Sequence, residues 1–83
     1  MKLMYFAWMR EHIGTAHEER TLPDRVKTVA ELIAHLREQS PGHAAALGNM
    51  DVVRVAINQE YCDLDAAVAD GDEIAFFPPV TGG

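Results

Sequence analysis

Ile74-Ala75-Phe76-Phe77-Pro78-Pro79-Val80-Thr81-Gly82-Gly83 closes the 83-residue sequence, and its change of character after Phe77 organises the rest of the chain. Ile74 to Phe77 is an unbroken apolar run that reads as a buried strand. Pro78 and Pro79 have no N–H to give to a sheet ladder, so the ladder stops there. Each proline also holds the residue before it extended, so Phe77 to Val80 is expected to be a stiff, polyproline-like arm pointing away from the body. From Pro78 to Gly83 such an arm reaches ~20 Å at about 3.3 Å per residue, enough to enter another protein.

The arm ends in two residues without side chains. A glycine pair is thin and unhindered at its carbonyl, which suits a chain end that threads a narrow channel and reacts there. The group available for reaction is the Gly83 carboxylate. A carboxylate is a poor electrophile, so it must first be activated, most simply as a mixed anhydride with adenylate from ATP. The activated acyl group then accepts sulfur or an amine. The chain has no phosphate-binding loop of the G-x-x-x-x-G-K-[ST] type. ATP is therefore expected to be used in trans by a separate activating enzyme, with no cofactor bound by this chain.

Upstream, Leu3 to Met9 is nearly all apolar on both parities, with Leu3, Tyr5, Ala7 and Met9 on one and Met4, Phe6 and Trp8 on the other. A strand that wants cover on both faces belongs in mid-sheet, and Ile74 to Phe77 shares the property, so the two are predicted to be neighbours. One face rests on a helix; on the other, Phe6, Trp8 and Phe77 are expected to form an exposed apolar patch of the kind that marks an interface. Arg10 to Gly14 reads as a short turn. His17 to Leu22 reads as an edge strand, guarded by Glu18, Glu19, Arg20 and Pro23. Thr28 with Glu31 is a capping-box signature, and Val29, Leu32, Ile33 and Leu36 follow at helical spacing. That helix is expected to stop at Ser40, Pro41 and Gly42, with at most one further turn over Ala44 to Leu47. Val53, Val55 and Ile57 alternate as a half-buried strand, Asn58 to Glu60 supply a turn, and Tyr61 and Cys62 a short return strand. Leu64 and Val68 are expected to anchor the loop that closes at Asp70, Gly71 and Asp72.

Hydrophobic residues make up 48% of the chain, with one cysteine and a net charge of −6, which describes one small soluble domain. No apolar run approaches the ~20 residues of a membrane span, and Met1 to Met9 is too short and too poorly flanked for a leader, so the cytoplasm is expected. A single cysteine fits a reducing compartment. Acids and bases balance over residues 1–50, whereas residues 51–83 set seven acids against Arg54 alone. The acidity lies on the half that carries the tail, which disfavours nucleic acid and anionic membranes and favours a basic partner.

Other side chains carry little chemistry. His12, His17, His35 and His43 lack metal-ligand spacing, and no cysteine pair joins them, so no metal is expected. Ser40 beside Pro41 reads as a local hydrogen-bonding residue. Asp63 with Asp65, and Asp70 with Asp72, read as turn residues. Cys62 beside Tyr61 reads as packing.

Taken together, Phe6 and Ala7, Arg10, Glu11 and Gly14, Ala56 to Asn58, Asp70 to Glu73, and above all Phe76 to Gly83 resemble the small sulfur-carrier subunits of molybdopterin synthase. These belong to the ubiquitin-like β-grasp group, and the match runs end to end. His12 departs from the small or apolar residue expected after Arg10 and Glu11. The resemblance implies an α+β, β-grasp fold: a mixed sheet of about five strands packed on one main helix over residues 1–77, with a protruding Gly-Gly tail over residues 78–83. It implies that an activating enzyme of the E1-like, adenylating kind acts on Gly83, that a sulfur-donor enzyme converts it to a thiocarboxylate, and that Pro78, Pro79, Val80, Thr81 and Gly82 thread the tail into the synthase large subunit. There the sulfur attacks a cyclic pyranopterin monophosphate. Catalytic side chains would belong to that partner, so the chain is not an enzyme on its own, and two sulfurs per dithiolene imply a heterotetramer. Other readings share the fold and the tail: a sulfur carrier for thiazole or transfer-RNA thiolation, a ubiquitin-like protein modifier, or a binding module whose tail is inert.

Overall fold

The structure is a computed structural model that describes residues 1–79; the expected arm over Val80, Thr81, Gly82 and Gly83 lies outside the described residues. Its elements run β1 (Lys2–Tyr5), α1 (Trp8–Ile13), β2 (His17–Glu19), α2 (Val29–Arg37), α3 (Pro41–Ala46), a 3-10 turn (Met50–Val52), β3 (Arg54–Ile57), β4 (Glu60–Cys62) and β5 (Glu73–Phe77). The five strands form one sheet in the order β2-β1-β5-β3-β4. β1 and β5 are parallel neighbours in its interior, as their two-faced apolarity predicts, and the other pairings are antiparallel.

One face of the sheet carries the core. Leu3 and Tyr5 of β1, Val55 of β3, and Ile74 and Phe76 of β5 point to the helices, where Val29, Leu32, Ile33 and Leu36 of α2 meet them. Each large buried side chain here contributes roughly 1.5–3 kcal/mol. The capping box that opens α2 is complete: the Thr28 hydroxyl accepts from the Glu31 N–H, and the Glu31 carboxylate accepts from the Thr28 N–H at 3.1 Å.

Four local expectations are corrected. The strand predicted over Leu3 to Met9 ends at Tyr5, because Ala7 adopts φ 54° and turns the chain into α1, whose Met9 is fully buried. The turn expected over Arg10 to Gly14 is thus the body of that helix, closed by Gly14 at φ 95°, where the N–H donates to the Arg10 carbonyl. Ser40, Pro41 and Gly42 do not stop the helical region but start α3: the Ser40 hydroxyl accepts from the His43 N–H and Pro41 occupies the first turn, where a missing N–H costs nothing. The sheet therefore packs on three helices, of which α2 is the longest. Leu64, expected as a buried anchor, is 44% exposed, whereas Val68 is buried.

The β3–β4 hairpin turns on Asn58 (φ 50°) and Gln59 (φ 72°), both left-handed, as a two-residue connection between right-twisted strands requires. Asn58 also ties the hairpin to β5. Its N–H donates to the Glu73 carbonyl at 2.8 Å, and its side-chain oxygen accepts from the Glu73 N–H at 3.0 Å.

Candidate functional site

The site is the point where β5 runs out of the sheet. Its last ladder partner is Arg54, opposite Phe77, and Pro78 follows at once. The strand is held from both sides up to that residue. Phe76 faces the core with its ring stacked on Tyr5 at 5.8 Å and 14°, and its carbonyl accepts from the Phe6 N–H at 3.1 Å. Chain direction at Phe77 is therefore fixed by the middle of the sheet.

Around this exit lies the face opposite the helices. The registers place Met4, Ala75, Ala56 and Tyr61 in one row across β1, β5, β3 and β4. Two alanines in the middle make the row shallow, and Tyr61, 73% exposed, stands at its end with its ring 5.5 Å from Phe77. Tyr61, Phe77, Arg54, Val55, Cys62 and Asp63 line an open groove of about 450 Å³ at the exit. On the other side Phe6, 44% exposed, borders a smaller hollow with Lys2, Met4, Arg10 and His17.

Of the three residues expected to form an apolar patch, the structure places Phe6 and Phe77 at the open face. Trp8 is not on a strand. It lies in α1, half-buried against the core and edge-on to His12 at 6.1 Å. Tyr61 was not singled out from the sequence. Its alternation with Cys62 across a two-residue hairpin was the available signal, since such a hairpin pairs Ala56 with Tyr61 and so sets it beside Ala75.

The ThiS family model matches residues 3–83, which takes in the sheet, the exit and the tail. The chain belongs to the ThiS family. Curated relatives include the molybdopterin synthase sulfur carrier subunits of Escherichia coli and Haemophilus influenzae, 41% and 42% identical over 83 residues, covering all of this chain and 99% of each relative. Among solved structures, SAMP1 from Haloferax volcanii superposes with a TM-score of 0.79 at 32% identity, covering 100% of this chain and 98% of that one. The complex of subunits 1 and 2 of the molybdopterin-converting factor from Helicobacter pylori contains a chain that matches with a TM-score of 0.67 at 28% identity, covering 99% and 96%. The fold is the ubiquitin-like β-grasp.

Within this ThiS family chain, the remaining reactive side chains are engaged structurally. Burial and the neighbouring Asp63 charge push the Cys62 thiol up, which keeps it protonated, and its Sγ donates to the Val55 carbonyl at 3.7 Å. Ser40 Oγ lies 2.7 Å from His43 Nδ1, and His43 Nε2 lies 2.6 Å from Glu18 Oε1. This serine, histidine and carboxylate chain is not a nucleophile system, because the serine oxygen caps α3 and the carboxylate is fully occupied by donors. Asp72 accepts from the Ala69 N–H, the turn role expected of it, and from the Asn58 side chain, whereas Asp70 accepts from the Leu22 N–H 48 positions away and so ties its loop to the segment after β2. Among the described residues, no group of three or more His, Cys, Asp or Glu side chains is placed to hold a metal ion, and no helix is long and apolar enough to cross a membrane.

Proposed function

We propose that this chain is the sulfur carrier of molybdopterin synthesis, the small subunit of a molybdopterin synthase, and that Gly83 carries the sulfur. A Gly83 carboxylate oxygen attacks the α-phosphorus of ATP on an E1-like activating enzyme and releases pyrophosphate. Sulfide-level sulfur delivered by a donor enzyme then attacks the acyl carbon and displaces AMP, leaving a terminal thiocarboxylate. Residues 78–83 act as the reactive arm of the domain formed by residues 1–77: Pro78 and Pro79 stiffen it, and Val80, Thr81 and Gly82 thread it into the large subunit. There the thiocarboxylate sulfur bonds to a carbon of a cyclic pyranopterin monophosphate as a carbon–oxygen bond to the cyclic phosphate opens, and water cleaves the resulting thioester, leaving the sulfur on the pterin and returning the Gly83 carboxylate. Sulfur is the better nucleophile than the oxygen it replaces, and a dry pocket strengthens its attack. The transfer groups belong to the partner, and the chain holds no cofactor of its own.

The observation that carries this reading is the identity of 41–42% with named sulfur carrier subunits over the whole chain, tail included. The exit geometry supports it, since a rigid central strand delivers Phe77 and Pro78 beside an open face bearing Phe6, Tyr61 and Phe77. We assign that face to the large subunit and to the activating enzyme in turn, in a heterotetramer of two copies of each synthase subunit, within the cytoplasm. Intact-mass measurement after incubation with activating enzyme, ATP and sulfide tests the first half. The expected product has one oxygen exchanged for sulfur, confined to the C-terminal peptide, and absence of that product would remove the carrier role. A second reading, protein modification, draws support from the likeness to the small archaeal modifier protein 1 of Haloferax volcanii. It predicts isopeptide conjugates on lysines in the same mixture when sulfide is withheld.

A further inference from the structure

The most densely bonded polar group of the described residues lies away from the exit. Glu18, at the middle of edge strand β2, sends its carboxylate to the helix side of the sheet, where it is 18% exposed. Oε1 accepts from the Tyr5 hydroxyl at 3.0 Å and lies 2.6 Å from His43 Nε2; Oε2 accepts from Arg20 Nε at 3.0 Å and Nη2 at 2.8 Å. All the acceptor positions of a carboxylate are thereby filled. The donors come from different elements: Tyr5 from β1, His43 from α3, and Arg20 from just past β2, with its Nη1 tied to Gln39 at the end of α2. His43 is held in turn by Ser40. The Met1 ammonium bonds the Arg20 carbonyl, while Lys2, His17 and Glu19 lie on the opposite parity of the sheet.

We propose that Glu18 is an acid-sensitive latch, whose protonation releases edge strand β2 from β1 and α3 while the other four strands stay paired. With the His43 tautomer that an ionised Glu18 requires, Nε2 donating to Oε1, a carboxylic acid would place its proton against an oxygen already facing two donors, so one donor must leave. Besides the Glu18 cluster, β2 is held only from the β1 side. It is three residues long and pairs with β1 only, whereas β5 is flanked on both sides. Burial pushes the Glu18 carboxyl up, but the hydrogen bonds from His43, Tyr5 and Arg20 outweigh it and hold the group below its ordinary value. An opened Glu18 titrates in the ordinary carboxylate range. The latched form keeps its advantage above that range and loses it, by a factor of about ten per pH unit for one proton, as pH falls toward the lowered value.

Site-resolved hydrogen exchange, corrected for the intrinsic pH dependence, tests the latch on the full chain. The Arg20 amide, bonded to the Met1 carbonyl, and the Tyr5 amide, bonded to that of Ala16, report the β1–β2 edge; the Phe6 and Asn58 amides, bonded to Phe76 and Glu73, report the interior. In the wild type the opening constants at Arg20 and Tyr5 should rise about tenfold per pH unit below the ordinary carboxylate range, with Phe6 and Asn58 unchanged. Glu18→Gln should open the edge at neutral pH and show no acid step. Tyr5→Phe removes one donor and keeps the ring, so the step should move to higher pH. His43→Gln keeps a donor at that position and removes the imidazole, so the step should persist. The latch is overturned if edge and interior amides lose protection together, if Glu18→Gln keeps the acid step, or if His43→Gln abolishes it.

Discussion

Gly42→Ala sets two physical effects of opposite sign against each other. Gly42 lies in the first turn of α3, pressed on the last turn of α1. A Cβ built there would stand 2.2 Å from the His12 carbonyl oxygen, 3.1 Å from its carbon and 3.3 Å from Ile13 Cα, all of them backbone atoms. Relieving the first contact requires the two helices to separate by about 1 Å, and overpacking of this kind costs roughly 1–3 kcal/mol. Helix propensity alone favours alanine over glycine by up to about 1 kcal/mol. The net expectation is destabilisation of about 1–2 kcal/mol, and a domain of this size loses roughly 4–8 °C of midpoint per kcal/mol. Gly71→Ala is the matched control, since nothing lies within 4 Å of a Cβ there; it should be neutral or gain up to about 1 kcal/mol. Urea unfolding of the wild type and both variants measures the difference directly. A Gly42→Ala protein as stable as the wild type would refute the reasoning and would mean that the α1–α3 contact yields at little cost.

Removing Gly83, or adding one residue after it, should leave the unfolding midpoint nearly unchanged yet abolish sulfur acceptance, because ~1 Å of misplacement of a reacting group can cost a hundredfold; intact mass and calorimetry on the same samples decide. Tyr61→Ser and Phe77→Ser should weaken binding to the large subunit by about 2 kcal/mol or more each, the range of central aromatic anchors, with Tyr61→Ser barely affecting stability; a titration showing unaltered affinity for both would reassign the interface. If acidity steers docking, Asp63→Lys with Asp65→Lys should lower the association rate and its salt dependence while dissociation changes little. Asp70 and Asp72 are unsuitable for that experiment, because their carboxylates accept from the backbone N–H groups of Leu22 and Ala69. Gln59→Gly relieves a left-handed φ of 72° and should stabilise the hairpin by about 1 kcal/mol, read as a higher urea midpoint.

The exit strand, its central place beside β1, and α2 were all legible because each carried a signal with one physical meaning. Apolarity on both parities demands cover on both faces, two prolines end a ladder, and Thr28 with Glu31 opens a helix. The misread segments carried signals with two meanings. Ser40-Pro41-Gly42 serves equally as a stop for one helix and as cap and first turn of the next, and only the fit of Gly42 on His12 shows which holds. Leu3 to Met9 gave no mark of the break at Ala7, since a left-handed residue is usually glycine and alanine occupies it here. That single dihedral moved Trp8 from the expected patch into α1. The Glu18 cluster was out of reach for another reason: Tyr5 and His43 lie 13 and 25 positions from Glu18, and no periodicity links them. Phe6 and Phe77 were placed at the open face by strand parity alone, and Tyr61 joined them through the hairpin register.

The flanking of β5 by a parallel β1 and an antiparallel β3 also has a mechanical meaning. A pull on the tail acts along the axis of β5, so the backbone bonds to both neighbours resist in shear and have to fail together. The same force applied across β2 or β4 at the sheet edges would break their few bonds one after another, like a zipper. If the tail is used as proposed, a load on the chain end would be borne by the middle of the sheet, and the domain behind it would stay together while its edges were still intact.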